Sequence, residues 1–294
     1  MSRRPLLYTL ILLMVFLWSG NYIAAKFALR EFPPLLLCGL RMILAGAFLW
    51  PVYVWERRKR IEPWMPNEIA VLVGLGLFGV TLNQVFFVLG LSRTSVAHSA
   101  IIIGLIPILV LLVAAGMRME KLTARKISGM LVALAGLVVL RAWPTGHESG
   151  SGATALGDFI IFLAGLTFAL FTVFGKKVTH RHTAVQVNTF AYVTGALALS
   201  PATIWGMRRF PVASVSAGAW LALVYMALFS SVVAYLIYYH ALTHIAASRL
   251  SAFSYLQPVV ATLMAVPTLG EPITVPLLAG GAVIFAGVWM TERG

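Results

Sequence analysis

Acidic side chains are scarce in this chain: nine Asp and Glu stand against 22 Lys and Arg in 294 residues. None occurs between Glu68 and Glu120, or between Asp158 and Glu271. Those two stretches therefore exclude paired-carboxylate acid–base chemistry and a carboxylate that binds sodium or carries a proton. The one cysteine, Cys38, excludes an intramolecular disulfide and any cysteine-based metal cage. H-E-x-x-H is absent too, so no metal, cofactor or catalytic residue is expected. Charged residues make up 11% of the chain, where soluble domains carry about 25%. Apolar residues fill the space: 60% are hydrophobic, which points to a membrane protein. The net charge of +13 raises the question of nucleic acid. The basic residues stand in short gaps between apolar runs, not in an aromatic-interleaved patch. They read as orientation signals beside membrane lipid, and no nucleic-acid partner is expected.

Ten apolar stretches can be placed, near 6–29, 34–55, 69–91, 95–117, 123–141, 156–178, 184–206, 216–242, 247–269 and 273–291. Each approaches the roughly 20 residues that cross a bilayer as a helix. Ser2-Arg3-Arg4-Pro5 before the first could open a secretory or twin-arginine signal. That stretch is longer than a signal core, so it is expected to stay as a helix. With the first terminus placed inside, 15 Lys and Arg fall on the inner side: Arg3, Arg4, Arg57, Arg58, Lys59, Arg60, Arg118, Lys121, Arg125, Lys126, Lys176, Lys177, Arg181, Arg249 and Arg293. Six fall outside: Lys26, Arg30, Arg93, Arg141, Arg208 and Arg209. The bias puts both termini in the cytoplasm.

The chain also repeats itself. Adding 151 to Pro107, Glu120, Thr123, Gly129 and Gly136 gives Pro258, Glu271, Thr274, Gly280 and Gly287. Trp18 to Lys26 falls on Phe168 to Lys176 at an offset of 150. The expected organisation is a first five-helix repeat over 1–142, a Gly/Ser-rich linker over 143–155 and a second repeat over 156–294. Five is odd, so the second repeat enters the membrane from the opposite side. The fold class is therefore all-α, with ten transmembrane helices in two inverted five-helix repeats. Inverted repeats supply the two exchangeable half-conformations of alternating access, and the class they point to is a transporter.

Several features, taken in order, resemble the drug/metabolite transporter superfamily, in particular its EamA-type ten-helix exporters. They are Trp18-Ser19-Gly20-Asn21-Tyr22-Ile23-Ala24-Ala25-Lys26, Arg41 in Leu40-Arg41-Met42-Ile43-Leu44-Ala45, Ala100 to Pro107, Glu120, Glu271-Pro272-Ile273, and the glycine-rich fifth and tenth stretches. The resemblance implies a bacterial inner-membrane protein that exports amino acids or related metabolites. Among these exporters, those of aromatic amino acids look similar. A carrier of lipid-linked sugars and a multidrug exporter on the same fold stay open as alternatives. An intramembrane enzyme is disfavoured because mid-stretch acids and a nucleophile–base pair are missing. The oligomeric state stays open, a monomer included.

Depth selects the candidate substrate-binding residues: Trp18, Asn21, Asn83, Gln84, Phe87, Phe168, Phe171, Tyr235, Tyr238, Ser254, Tyr255 and Gln257. A mid-membrane amide needs a partner and disfavours facing lipid. Pro107 and Pro258, near the middles of equivalent stretches, free the carbonyls of Ile103 and Ser254 and predict helix breaks. His98 and His240 are the remaining titratable candidates for coupling. Arg41 and Lys26 could draw an anion, or else pair with Glu31 or snorkel. Gly74-Leu75-Gly76-Leu77-Phe78-Gly79 fits a dinucleotide-binding fingerprint. It lies inside an apolar stretch and has no acid about 20 residues on, so it reads as a helix-packing face, like the glycines of 129–136 and 280–287.

Overall fold

A computed structural model of the chain describes residues 4–59, 66–93, 102–141, 154–178, 181–269 and 275–294. His98, the linker glycines, Glu271, Pro272 and the side chains of Lys26 and Pro258 lie outside the described residues. The first half contains α1 (Arg4–Ala28), α2 (Pro34–Lys59), α3 (Pro66–Gly74), π1 (Leu75–Thr81), α4 (Leu82–Leu91), α5 (Ile106–Gly116) and α6 (Ala124–Arg141). The second contains α7 (Ala155–Val178), α8 (Ala184–Arg209), α9 (Ala217–Tyr225), π2 (Met226–Val233), α10 (Ala234–Leu242), α11 (Ala247–Ala252), α12 (Leu256–Leu269) and α13 (Val275–Glu292). No strand occurs among the described residues. Among the described residues, five helical segments are long and apolar enough to cross a membrane: Pro5–Ala25, Pro34–Arg58, Asn67–Leu91, Ala155–Lys176 and Ala217–Leu242. Ile106–Gly116 and Leu278–Thr291 are shorter apolar helices. In hydrocarbon a backbone amide finds no water, so a spanning chain must satisfy itself as helix. Leu6, Phe16, Phe78, Leu197, Trp205 and Leu221 point outward, where a lipid-facing surface is expected.

Helix ends follow local chemistry. Pro34 takes the first turn of α2, where its missing N–H costs nothing. Thr183 opens α8 with a capping box: its Oγ1 accepts from Gln186 N at 3.2 Å, and its own N–H donates to Gln186 Oε1 at 3.1 Å. Ser216 caps α9 by accepting from Ala219 N, and its hydroxyl and amide donate to Glu31 at 2.6 and 2.7 Å. These bonds hold the Glu31 carboxyl below its usual value.

Elements of the two halves match in position. α2 and α8 differ by 150 at both ends and carry Pro51 and Pro201. α6 and α13 differ by 151 at both ends, and π1 and π2 begin 151 apart. The matched helices also cross each other in reverse order. A Cβ on Gly129 would stand 2.8 Å from Gly287 O, and one on Gly136 would stand 2.9 Å from Gly280 O. Between α2 and α8, Gly39 meets Thr203, while Tyr53 meets the Phe190 ring at 6.1 Å between centroids. As one helix of each pair ascends, the other descends.

π1 and π2 are true wide turns. Leu82 N–H bonds Leu77 O and Ala234 N–H bonds Phe229 O, both five residues back. Such segments are rare and occur mostly at functional sites. Gly76 and Gly79 of π1 pack against Ala191 and Phe171, so these two glycines of the run form a packing face, while a Cβ on Gly74 would meet nothing within 4 Å.

The breaks at the prolines differ in detail from a kinked helix. Pro107 lies in the first turn of α5, after a tight turn in which Leu105 N–H bonds Ile102 O at 3.0 Å. A 3₁₀ turn over Phe253–Tyr255 precedes α12 at the matching place. The helix stops and restarts ahead of proline, because a first-turn proline needs no N–H partner and an interior one does.

Glu120 ties the halves together. Its carboxylate accepts from Lys126 Nζ at 2.9 Å, from Ser248 N at 3.1 Å and from the Ser248 hydroxyl. Burial would raise the Glu120 carboxyl; the Ser248 and Lys126 bonds outweigh it and hold it below its usual value. A depressed carboxylate contributes stability above its unfolded pKa, about 4.3, and that contribution is lost as pH falls through the folded value. The unfolding temperature of the detergent-solubilised protein is therefore expected to drop below about pH 4. Glu120→Ala strands a buried lysine, and about 3–5 kcal/mol should be lost at pH 7. An unchanged unfolding temperature for Glu120→Ala at pH 7 would contradict this.

Candidate functional site

A cavity opens where α1, α2, α4, α7, α10 and the break before α12 converge. It takes in roughly 710 Å³ of space free of protein atoms, part of it open to the outside. Its wall holds Trp18, Asn21, Tyr22, Arg41, Asn83, Gln84, Phe87, Ile103, Ile106, Ala164, Gly165, Phe168, Tyr235, Ser254 and Gln257. Both halves of the sequence contribute.

Trp18 is the centre of an aromatic cluster. Its ring meets Phe168 at 6.0 Å and Tyr235 at 5.4 Å, both edge-on, and Tyr238 at 5.4 Å. Edge-on pairs suit the ring quadrupoles. The indole Nε1 donates to Ser230 O at 3.1 Å, a carbonyl of π2. Ser19 binds Gln257 O at 3.1 Å, which joins α1 to the restarted α12. On the other wall Asn83 Nδ2 donates to Ala164 O at 2.8 Å and Gln84 Nε2 to Tyr192 OH at 3.2 Å. Phe87 meets Tyr22 edge-on at 5.8 Å.

The structure brings nine of the twelve sequence-selected residues to the wall: Trp18, Asn21, Asn83, Gln84, Phe87, Phe168, Tyr235, Ser254 and Gln257. Phe171, Tyr238 and Tyr255 do not line it. Each is 1% exposed and packed behind the wall, with Tyr238 OH 2.5 Å from Thr172 Oγ1. Helical spacing put these rings on the right elements, but one turn decides between wall and core. His240 is exposed at the end of α10 and lies beside His244, with tilted rings whose centroids are 4.5 Å apart, away from the cavity. Lys176 bonds Ile245 O at 2.5 Å at the far end of α7.

The wall adds Tyr22, Arg41, Ile103, Ile106, Ala164 and Gly165 to the sequence selection. Tyr22 is one turn from Trp18 on α1, a spacing that could have found it. Ala164 and Gly165, one turn before Phe168, are small and leave room. Arg41 does not pair with Glu31, whose oxygens are held by Ser216, and it does not snorkel: it is 5% exposed. Among the described residues no cluster of His, Cys, Asp or Glu could hold a metal.

Apolar helices that break ahead of proline around an aromatic, amide-lined cavity define the class: a membrane-embedded, multi-pass transport protein. The chain matches the EamA-like transporter family twice, over residues 6–142 and 155–293. It belongs to that family, within the drug/metabolite transporter superfamily. Among its relatives is an uncharacterized transporter of Archaeoglobus fulgidus, 28% identical, with 97% of this chain and 96% of that one covered. The transporter YyaM of Bacillus subtilis is 27% identical, covering 98% and 93%. The inner membrane transporter YedA of Escherichia coli K12 is 25% identical, covering 94% and 87%. A solved crystal structure shares the fold, with a TM-score of 0.77 over 99% of this chain and 98% of that one at 21% identity.

Proposed function

We propose that the protein is a secondary transporter of a bacterial inner membrane that exports small amphipathic metabolites, above all neutral and aromatic amino acids, by alternating access. The observation that carries the reading is the cavity itself. Rings of Trp18, Phe87, Phe168 and Tyr235 offer apolar contact, while Asn21, Asn83, Gln84 and Gln257 offer donors and acceptors. That wall suits an apolar body with a small polar head. A phosphate-bearing substrate would want several converging cations, and among the described residues Arg41 is the one cation in the wall.

The reading includes ten spans in two inverted repeats, 1–142 and 156–294, joined by the linker over 143–155, with both termini cytoplasmic. The doubled family match supports it, as do the crossings of α6 with α13 and α2 with α8. For α6 with α13 residues a repeat apart exchange partners in reverse order, and for α2 with α8 they do so to within one residue, which is what a two-fold axis in the membrane plane produces. Labelling of Ser149→Cys, on a Cys38→Ser background, from the cytoplasmic side alone would overturn the orientation.

Counterflow of labelled amino acids, nucleosides and drugs in proteoliposomes tests the substrate class. Gln84→Ala and Tyr235→Ala are expected to cut amino acid flux roughly 10- to 100-fold, about 1.4–2.7 kcal/mol of lost binding, with folded protein retained. Wild-type flux in both variants, or a nucleotide sugar that outcompetes every amino acid, would sink the reading.

A further inference from the structure

The cavity wall holds a buried cation that has no anion beside it among the described residues. Arg41 is 5% exposed and lines the cavity from α2. Its Nε donates to Ser231 Oγ at 2.7 Å. The ion pairs among the described residues join Lys126 with Glu120, and Arg181 and His182 with Glu68; none involves Arg41. A guanidinium carries five N–H donors in a fork that matches a carboxylate, and here one is spent. A buried charge without a partner is costly, unless the partner arrives from solution.

Acceptors in the same wall are unmatched as well. Asn21 Oδ1 and Gln84 Oε1 are buried without a hydrogen-bond partner in the amide orientations assigned here. Gln84 is 5% exposed; one N–H of its Nε2 is engaged with Tyr192, which leaves its unpartnered oxygen and a second N–H to offer. Unmatched donors and unmatched carbonyl oxygens around one cavity complement a molecule that carries both a carboxylate and an ammonium group.

We infer that Arg41 is the carboxylate-binding residue of the cavity, and that the ligand is an α-amino acid whose ammonium group donates to Asn21 Oδ1 and Gln84 Oε1. This deepens the transport reading and rests on it for the cavity being a substrate site. It also assigns Arg41 a role beyond holding π2 through Ser231.

The test compares four matched ligands on the purified full-length protein in detergent, read as the ligand-induced rise in unfolding temperature. They are L-phenylalanine, 3-phenylpropionate (acid without amine), L-phenylalaninamide and phenethylamine (amine without acid). Wild type is expected to respond to the two acids at concentrations at least tenfold below those needed for the amide or the amine. Arg41→Gln should weaken both acids at least tenfold and leave the amide unchanged. Arg41→Lys, which keeps the charge and loses the fork, should fall between. An amide that matches the acid in wild type overturns the assignment, whatever the variants do, so a variant that fails to fold does not shield it. Equal weakening of acid and amide by Arg41→Gln also overturns it, because Arg41 then only supports π2. No response to either acid in wild type overturns it as well. Arg41-dependent binding of L-phenylalanine, tighter than that of 3-phenylpropionate, without amino acid counterflow in proteoliposomes would leave the assignment standing and end the transport reading. Amino acid counterflow that the amide inhibits as well as the acid would do the reverse.

Discussion

Gly129→Leu is expected to abolish folded, monodisperse protein. A Cβ at Gly129 would stand 2.6 Å from Thr291 N and 2.8 Å from Gly287 O, both backbone atoms of α13. Backbone cannot swing aside as a flexible side chain can. Even Gly129→Ala should cost about 1–3 kcal/mol as the helices are forced apart. A leucine cannot be accommodated at all. The reciprocal contact at Gly287 meets Ala133 N and Gly129 O, so Gly287→Leu should fail in the same way, and the double variant should not rescue. Gly116→Ala is the control, since its Cβ would meet nothing within 4 Å. Size-exclusion profiles and unfolding temperatures of the five variants, beside wild type, read the outcome. A monodisperse Gly129→Leu protein with the wild-type unfolding temperature would show that α6 and α13 do not approach as described.

Trp18→Ala should have the second-largest effect, on transport as well as on folding. The indole touches three rings and supplies the Nε1 bond to Ser230 O, so its loss empties the middle of the wall. Trp18 is partly buried, so its truncation should cost less than the roughly 3–5 kcal/mol of a fully buried aromatic, while flux should fall about 100-fold or more at 1.4 kcal/mol per tenfold. Trp18→Phe keeps ring contact and loses the Nε1 bond. It should retain most of its stability and lose flux roughly tenfold, about 1.4 kcal/mol. Wild-type counterflow by Trp18→Ala would remove the aromatic cluster from any part in transport.

Much of this arrangement was legible in the sequence because the bilayer leaves few choices. An apolar stretch without water must become helix, so α1, α2, α7 and the segments around π1 and π2 follow from composition and length. The offsets of 150 and 151 carried over to α2 with α8 and to α6 with α13 because duplicated sequences meet the same constraints. Mid-depth amides reached the wall for the reason that singled them out: they avoid lipid. What spacing could not show was rotation. Tyr235 lines the cavity while Tyr238, three residues on, is core, and only packing against Thr172 and Phe168 decides that. π1 and π2 were hidden as well, because a five-residue bond pattern is chosen by tertiary packing and leaves no fixed residue signature. Arg41 stayed open in the sequence between drawing an anion, pairing with Glu31 and snorkelling, because Glu31 stands near it in the chain. Ser216, 185 positions from Glu31, takes that carboxylate instead.

The central claim is that this one cavity opens in turn to the two sides of the membrane. The direct measurement is the reactivity of Phe87→Cys, on a Cys38→Ser background, towards an impermeant maleimide added from either side of oriented proteoliposomes. Phe87 lies in the wall and is only partly buried. The account predicts modification from both sides, with added L-phenylalanine changing the ratio of the two rates. Modification from one side alone, unaffected by L-phenylalanine, in a variant that still exchanges amino acid would contradict it.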